Sequence, residues 1–195
     1  YLLFTRRGID IDKYPAVLKH LEQYRERLEP KPKNFQGKGW PGRKEGSYKW
    51  YEIQDAVDYY EEFEKPKIML PDIAYQAEAL FDTQRSYCVN TAYIIPTSQI
   101  FLISILNSSV AQFYYKSLSS TIRGGYYRFI KQYLEQIPVP EITEDEKLKM
   151  IDLIQRLELS ESQIVRKSLE TKLNEMVISA YGLDSKEIDL IGDLF

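Results

Sequence analysis

The sequence predicts an α+β fold: a twisted mixed or antiparallel sheet with packed helices, followed by a C-terminal helical hairpin. Three observations carry this. Between residues 67 and 95, short runs rich in Ile, Leu, Tyr and Val are separated by turn-forming residues, a pattern of strands rather than helices. Residues 100–115 are apolar on nearly every side, as in a helix buried within a core. After residue 143, apolar residues recur at helical spacing between cap residues, as in helices packed side by side.

In chain order, residues 1–5 read as a short strand entered mid-chain, so the chain reads as a fragment of something longer. A helix follows, with Pro15 in its first turn and Asp12 as a nearby cap. Val17, Leu18, Leu21, Tyr24 and Leu28 share one face of it, and His20 falls among the polar positions as a surface residue. Prolines and four glycines make residues 31–51 a long loop. Residues 55–64 are acidic and suit a short helix. Residues 67–73 suit a strand, with Pro71 at an edge or bulge. Two further strands, 74–82 and 86–95, flank the turn Asp82-Thr83-Gln84-Arg85.

Ser98 can cap a helix over 99–117, with Asn107-Ser108-Ser109 as a polar break where another backbone can approach. Residues 121–129 look extended around Gly124-Gly125, and 130–136 suit one or two helical turns. Pro138 and Pro140 end the segment. Thr143 with Glu146 forms a capping box for a helix to about 158. A second helix from Ser160 turns Ile164, Val165, Leu169, Leu173, Met176, Val177 and Ala180 inward and stops at Gly182. Asp184 caps a last helix to about 192. The division expected is an αβ domain over 1–140 and a helical segment over 141–195.

The mean charge of −3 hides a split. Residues 1–140 hold 19 cations and 16 anions, net +3, and residues 141–195 hold 7 and 13, net −6. A pI near 5.4 argues against a nucleic-acid partner for the chain as a whole, but local charge on the contacting face matters more than the total. Tyrosine is in excess, 16 of 195 residues, a composition common at binding surfaces. The single cysteine, Cys88, excludes an internal disulfide and a cysteine-based zinc site and fits a reducing, cytoplasmic compartment. No apolar run is long enough to cross a bilayer.

Catalytic motifs fail one after another. Gly37, Gly39 and Gly42 match a dinucleotide-loop spacing, but Pro41 and the missing strand before them make the match fortuitous. Asp72 with Glu78 suggests a metal-nuclease pair, yet the carboxylate-x-Lys continuation is absent. The Asn/Asp-Pro-Pro-Tyr motif of amino-methylating DNA methyltransferases is absent too. The chain therefore reads as non-catalytic by itself, with no metal or cofactor site of its own.

Binding has more support. The 31–51 loop carries six cations against one anion, interleaved with Phe35, Trp40, Tyr48, Trp50 and Tyr51. Cations for phosphates, aromatics for stacking and glycines for close approach are the components of a nucleic-acid loop. Equally, they make a solvated basic loop anchored by its tryptophans. The candidate DNA contacts are Lys38, Trp40, Arg43, Lys44, Tyr48 and Lys49, with Arg85, Arg123 and Arg128 outside the loop. Each arginine has an ordinary alternative: Arg85 as a surface turn cation, for example, and Arg128 paired with Glu135.

Lys49-Trp50-Tyr51-Glu52, then Phe63 through Pro71, Leu102 through Ser109, Gln112-Phe113-Tyr114 and Ile137-Pro138-Val139-Pro140 occur in an order that resembles the TaqI-like C-terminal specificity (target-recognition) domain. That domain belongs to type IIG restriction-modification enzymes and DNA adenine methyltransferases. The ending from Val177 to Ile188 is similar to the helical tail of the same group. The resemblance implies that double-stranded DNA is the partner and that a methyltransferase domain, with its S-adenosylmethionine and often a nuclease, lies upstream in the same chain. It implies a helical tail that packs on the recognition domain or on the methylase. It transfers no base contact, only the position of the variable basic loop before Lys49. The alternative is a protein-interaction module, with acidic helices and tyrosines facing a partner and no direct DNA contact.

Overall fold

The computed structural model describes residues 2–192 and shows two compact units, Tyr1–Glu61 and Glu62–Phe195. In the first, residues 2–5 form no strand. Thr5 lends only its carbonyl, to Ile53 N–H at 2.8 Å, and a lone bond does not make a ladder. A 3-10 turn, Ile11–Lys13, leads into α1 (Pro15–Glu22), with Pro15 at its first position, and then α2 (Arg25–Leu28). The anticipated helix is thus broken at Gln23 and Tyr24. Its apolar stripe is half-buried, except Tyr24, whose exposed ring meets His20 edge-on.

The second unit holds the sheets. β1 (Lys67–Pro71) is the centre of a three-stranded antiparallel sheet, between β3 (Leu80–Asp82) and β4 (Ala92–Pro96). Ile68 pairs with Phe81 on one side and Ile95 on the other. β2 (Ile73–Ala74) pairs antiparallel with β5 (Tyr127–Arg128) in a separate ribbon. The fold class is α+β.

The strands expected at 74–82 and 86–95 are both shorter in the structure, and for the first the reason is specific. Residues 75–79 spend their backbone groups on helix side chains instead of a neighbouring strand. The Asn107 amide donates to Ala79 O (2.9 Å) and accepts from Ala79 N–H (2.8 Å), while Gln112 donates to Tyr75 O and accepts from Ala77 N–H. Two amides on a helical hairpin take the place of a strand edge.

The same region explains why residues 99–117 form two helices, α3 (Leu102–Leu106) and α4 (Ser109–Leu118). Ser108 turns to an extended conformation and caps α4 by accepting from Ala111 N–H. Ser109 N–H is satisfied by Asn174 at 2.8 Å. The polar break therefore receives both the residue 75–79 segment and the later helix that carries Asn174.

α5 (Lys131–Leu134) is a single turn. α6 (Glu144–Leu159) opens with the Thr143–Glu146 capping box, α7 (Gln163–Tyr181) ends at Gly182 in the left-handed region, and α8 (Ser185–Gly192) follows Asp184. Met150 and Ile154 of α6 and Leu173 and Val177 of α7 join Ile68, Leu70, Ile103 and Ile105 in one core. Each such side chain contributes about 1.5–3 kcal/mol. Ile164 and Val165, expected inward, are exposed. At the start of α7 the contact with α6 is polar: Arg166 donates to the last carbonyls of α6, at Leu157 (2.7 Å).

Candidate nucleic-acid interface

In the first unit the basic loop is folded around Arg43. Its backbone pairs with residues 29–31, Arg43 N–H donating to Glu29 O and Lys31 N–H to Arg43 O, both at 3.0 Å. The guanidinium then donates to Leu28 O (2.7 Å), Glu52 O (2.7 Å) and Trp50 O (2.8 Å) and lies over the Tyr48 ring. A planar fork with five donors is suited to such a clamp. The preceding Gly42 is required by close packing, since a Cβ there would sit 2.2 Å from Glu29 O.

The aromatics form the floor of the loop. Trp40 donates from Nε1 to Glu29 O and meets Phe35 edge-on. Tyr48 is buried, its hydroxyl donating to Lys44 O. Buried Glu52 accepts from Lys49 N–H (2.8 Å) and Gly8 N–H (2.9 Å). Three of the residues expected to touch DNA thus hold the loop together: Arg43, Trp40 and Tyr48. The sequence separates neither role, because a cation or aromatic that clamps carbonyls reads like one that meets phosphates.

Lys38, Lys44 and Lys49 remain exposed on the same loop. Hydrogen bonding to Tyr51 holds the Lys49 ammonium above its ordinary pKa, and the cation lies over the Tyr51 ring. The result is a rigid aromatic base edged by charged, solvent-facing lysines.

In the second unit, Arg85 is exposed at the turn after β3 with φ 56°, the left-handed region that few non-glycine residues occupy. The Asp82 carboxylate stabilises that turn by accepting from Gln84 N–H and Ser86 N–H, and it also pairs with fully buried Lys67. Burial pushes the Asp82 carboxyl up, but its bonds from Lys67, Ser86 and Gln84 outweigh this and hold it below the usual carboxylate range. Arg123 is exposed in the glycine turn before β5. Arg128 pairs with Asp72 instead of Glu135, which binds Lys131. Asp72 is therefore engaged by a cation, and among the described residues no group of three or more His, Cys, Asp or Glu could hold a metal ion. Among them, too, no helix is long and apolar enough to cross a membrane.

Residues 6–139 match the family of TaqI-like C-terminal specificity domains. The chain belongs to that family. Helices α6 to α8 lie beyond the matched residues. The specificity domain is 27% identical over 191 residues to the type II methyltransferase M.BstVI of Geobacillus stearothermophilus, covering 95% of this chain and 30% of the relative. It is 26% identical to the type II methyltransferase M.PaeR7I of Pseudomonas aeruginosa, covering 94% and 29%. The domain thus spans less than a third of either relative. Its fold is shared with the type IIL restriction-modification enzyme MmeI, solved in complex with DNA: TM-score 0.61, 18% identity, 96% of this chain and 27% of that one.

Proposed function

We propose that this specificity domain recognises a sequence in double-stranded DNA. In this reading it serves a type IIG restriction-modification enzyme or DNA adenine methyltransferase in the cytoplasm. It positions the target for a methylase, and where present a nuclease, upstream in the same chain. The observation that carries the reading is a specificity-domain sequence whose basic loop is internally braced while its lysines face solvent. A loop backbone already held by its own bonds can present lysines to phosphates without first having to fold. S-adenosylmethionine belongs in this reading to the methylase. The helical segment 141–195, net −6 with exposed Leu148 and Leu159, is read as packing on the recognition domain or on the upstream methylase.

The test is DNA binding by the full-length protein across a salt series. Replacing Lys38, Lys44 and Lys49 together by Ala is expected to weaken duplex binding and to reduce the salt slope by roughly three units, about one for each phosphate that is no longer neutralised. Unchanged affinity and slope would refute the assignment of this loop. Salt-insensitive association with a protein and no retention on DNA would favour an interaction module.

A further inference from the structure

The β2–β5 ribbon has two different faces. Ile73 lies opposite Arg128 and Ala74 opposite Tyr127. Opposed residues share a face, and successive ones alternate. Ala74 is buried in the core and Tyr127 packs against it. The other face carries Ile73 and Arg128. One step further along the same register Tyr75 and Tyr126 stack, their ring centroids 3.9 Å apart. This face is open to solvent: Tyr75 is 58% exposed, Ile73 48% and the Arg128 side chain 52%.

The turn leading into the ribbon is tight. Ile122 N–H donates to Tyr126 O (2.8 Å) and Gly125 N–H to Ile122 O (3.1 Å). Gly124 and Gly125 take φ of +91° and +82°, and a Cβ on Gly124 would press to 3.3 Å from the Tyr126 ring. Exposed Arg123 sits in this turn.

Arg128 is held in one orientation. Its Nε donates to Asp72 Oδ1 (3.2 Å) and its Nη2 to Oδ2 (2.9 Å). Those bonds use the side edge of the guanidinium and leave the end edge, with donors on Nη1 and Nη2, pointing away from Asp72. Asp72 is buried, and its main chain is fixed by bonds to Thr91 O and from Phe129 N–H. The Tyr115 hydroxyl donates to the Arg128 carbonyl. A mobile lysine suffices for a phosphate. A guanidinium braced by a buried carboxylate, beside a flat aromatic surface on a two-stranded ribbon, is built to meet something of fixed geometry. The major groove admits such a ribbon, and O6 and N7 of guanine present two acceptors to such a fork.

We propose that this ribbon face enters the major groove and that Arg128, braced by Asp72, donates the end edge of its guanidinium to one guanine, with Tyr75 and Tyr126 packed on the adjoining base pair. The proposal rests on the DNA-recognition reading and names the chemistry it reads. It is tested by selecting duplexes from a library with a randomised centre, using the full-length protein and its Arg128→Ala, Arg128→Lys and Asp72→Asn variants. Circular dichroism shows that each variant is folded. The wild type is expected to select a site containing a G·C pair whose discrimination falls roughly tenfold or more in Arg128→Ala. Arg128→Lys, which keeps the charge, does not restore it. Asp72→Asn loses part of it. An unchanged consensus in Arg128→Ala overturns the proposal. So does an equal loss for all sequences with the salt slope lowered by about one, which marks a phosphate contact. If the wild type selects no consensus, the DNA-recognition reading itself fails, a result distinct from either.

Discussion

Replacing Arg43 by Ala separates a brace from a DNA contact. Three carbonyls, those of Leu28, Trp50 and Glu52, lie within 2.8 Å of the guanidinium nitrogens. A bond to a charged group contributes about 1.5–3 kcal/mol when buried, and at these half-open positions about 1 kcal/mol each, so the clamp stabilises the closed loop by about 3 kcal/mol. Its loss raises the population of opened loop by about two orders of magnitude. Trypsin reads this directly, because the exposed lysines at 33, 38 and 44 remain as cleavage sites. Native-state cleavage within residues 31–51 is expected to accelerate by a comparable factor. DNA affinity falls because ordering is now part of binding, while the salt slope changes by less than about one unit. Arg43→Lys recovers little, since one ammonium cannot reach three diverging carbonyls. Unchanged cleavage together with a salt slope lower by about one would refute the reasoning and make Arg43 a phosphate ligand.

Two further outcomes follow from the second unit. Lys67 is fully buried against Asp82 and also donates to Phe63 O (2.7 Å). Lys67→Met leaves a buried carboxylate unpaired and is expected to cost about 3–5 kcal/mol in urea melts, whereas Lys67→Met with Asp82→Leu is far closer to neutral. Because the folded Asp82 pKa lies below its unfolded value, the pair's stabilisation is fully present above about pH 4 and is lost as pH falls through the folded value. Melts taken on the acid side of about pH 4 should show the wild type falling below the double variant, which carries neither charge and lacks this pH dependence. Asn107→Ala removes both bonds to Ala79, at 2.8 and 2.9 Å, and is expected to cost about 1–3 kcal/mol with hydrogen exchange rising first at Ala79. An unperturbed exchange rate there would show that the amide is not what replaces the strand edge.

Local structure was legible wherever a few neighbouring residues settle it. Thr143 and Glu146 satisfy each other's backbone groups, Gly182 takes the left-handed stop, and Asn107-Ser108-Ser109 marks the approach of other backbone. The strand lengths were not legible. Whether Ala79 pairs with a strand or with the Asn107 amide depends on a residue 28 positions away, and alternation in the sequence is the same in both cases. Nor was the partner of Arg128 legible. Glu135 is nearer in sequence, but the ribbon register brings Asp72 alongside.

By itself the sequence determined the α+β class, the ends of the last three helices to within a few residues, the family and the place of the basic loop. Those rest on composition, caps, periodicity and the order of short motifs, which are set by neighbouring residues. Only the tertiary structure decided which cations brace and which face solvent. Arg43 and Lys44 are adjacent and alike in charge, yet one has its donors bound to backbone carbonyls and the other is exposed. That difference is made by Leu28, Trp50 and Glu52 arriving around one of them. Tyr75 and Tyr126, 51 positions apart, likewise become one surface because the β2–β5 register sets them face to face.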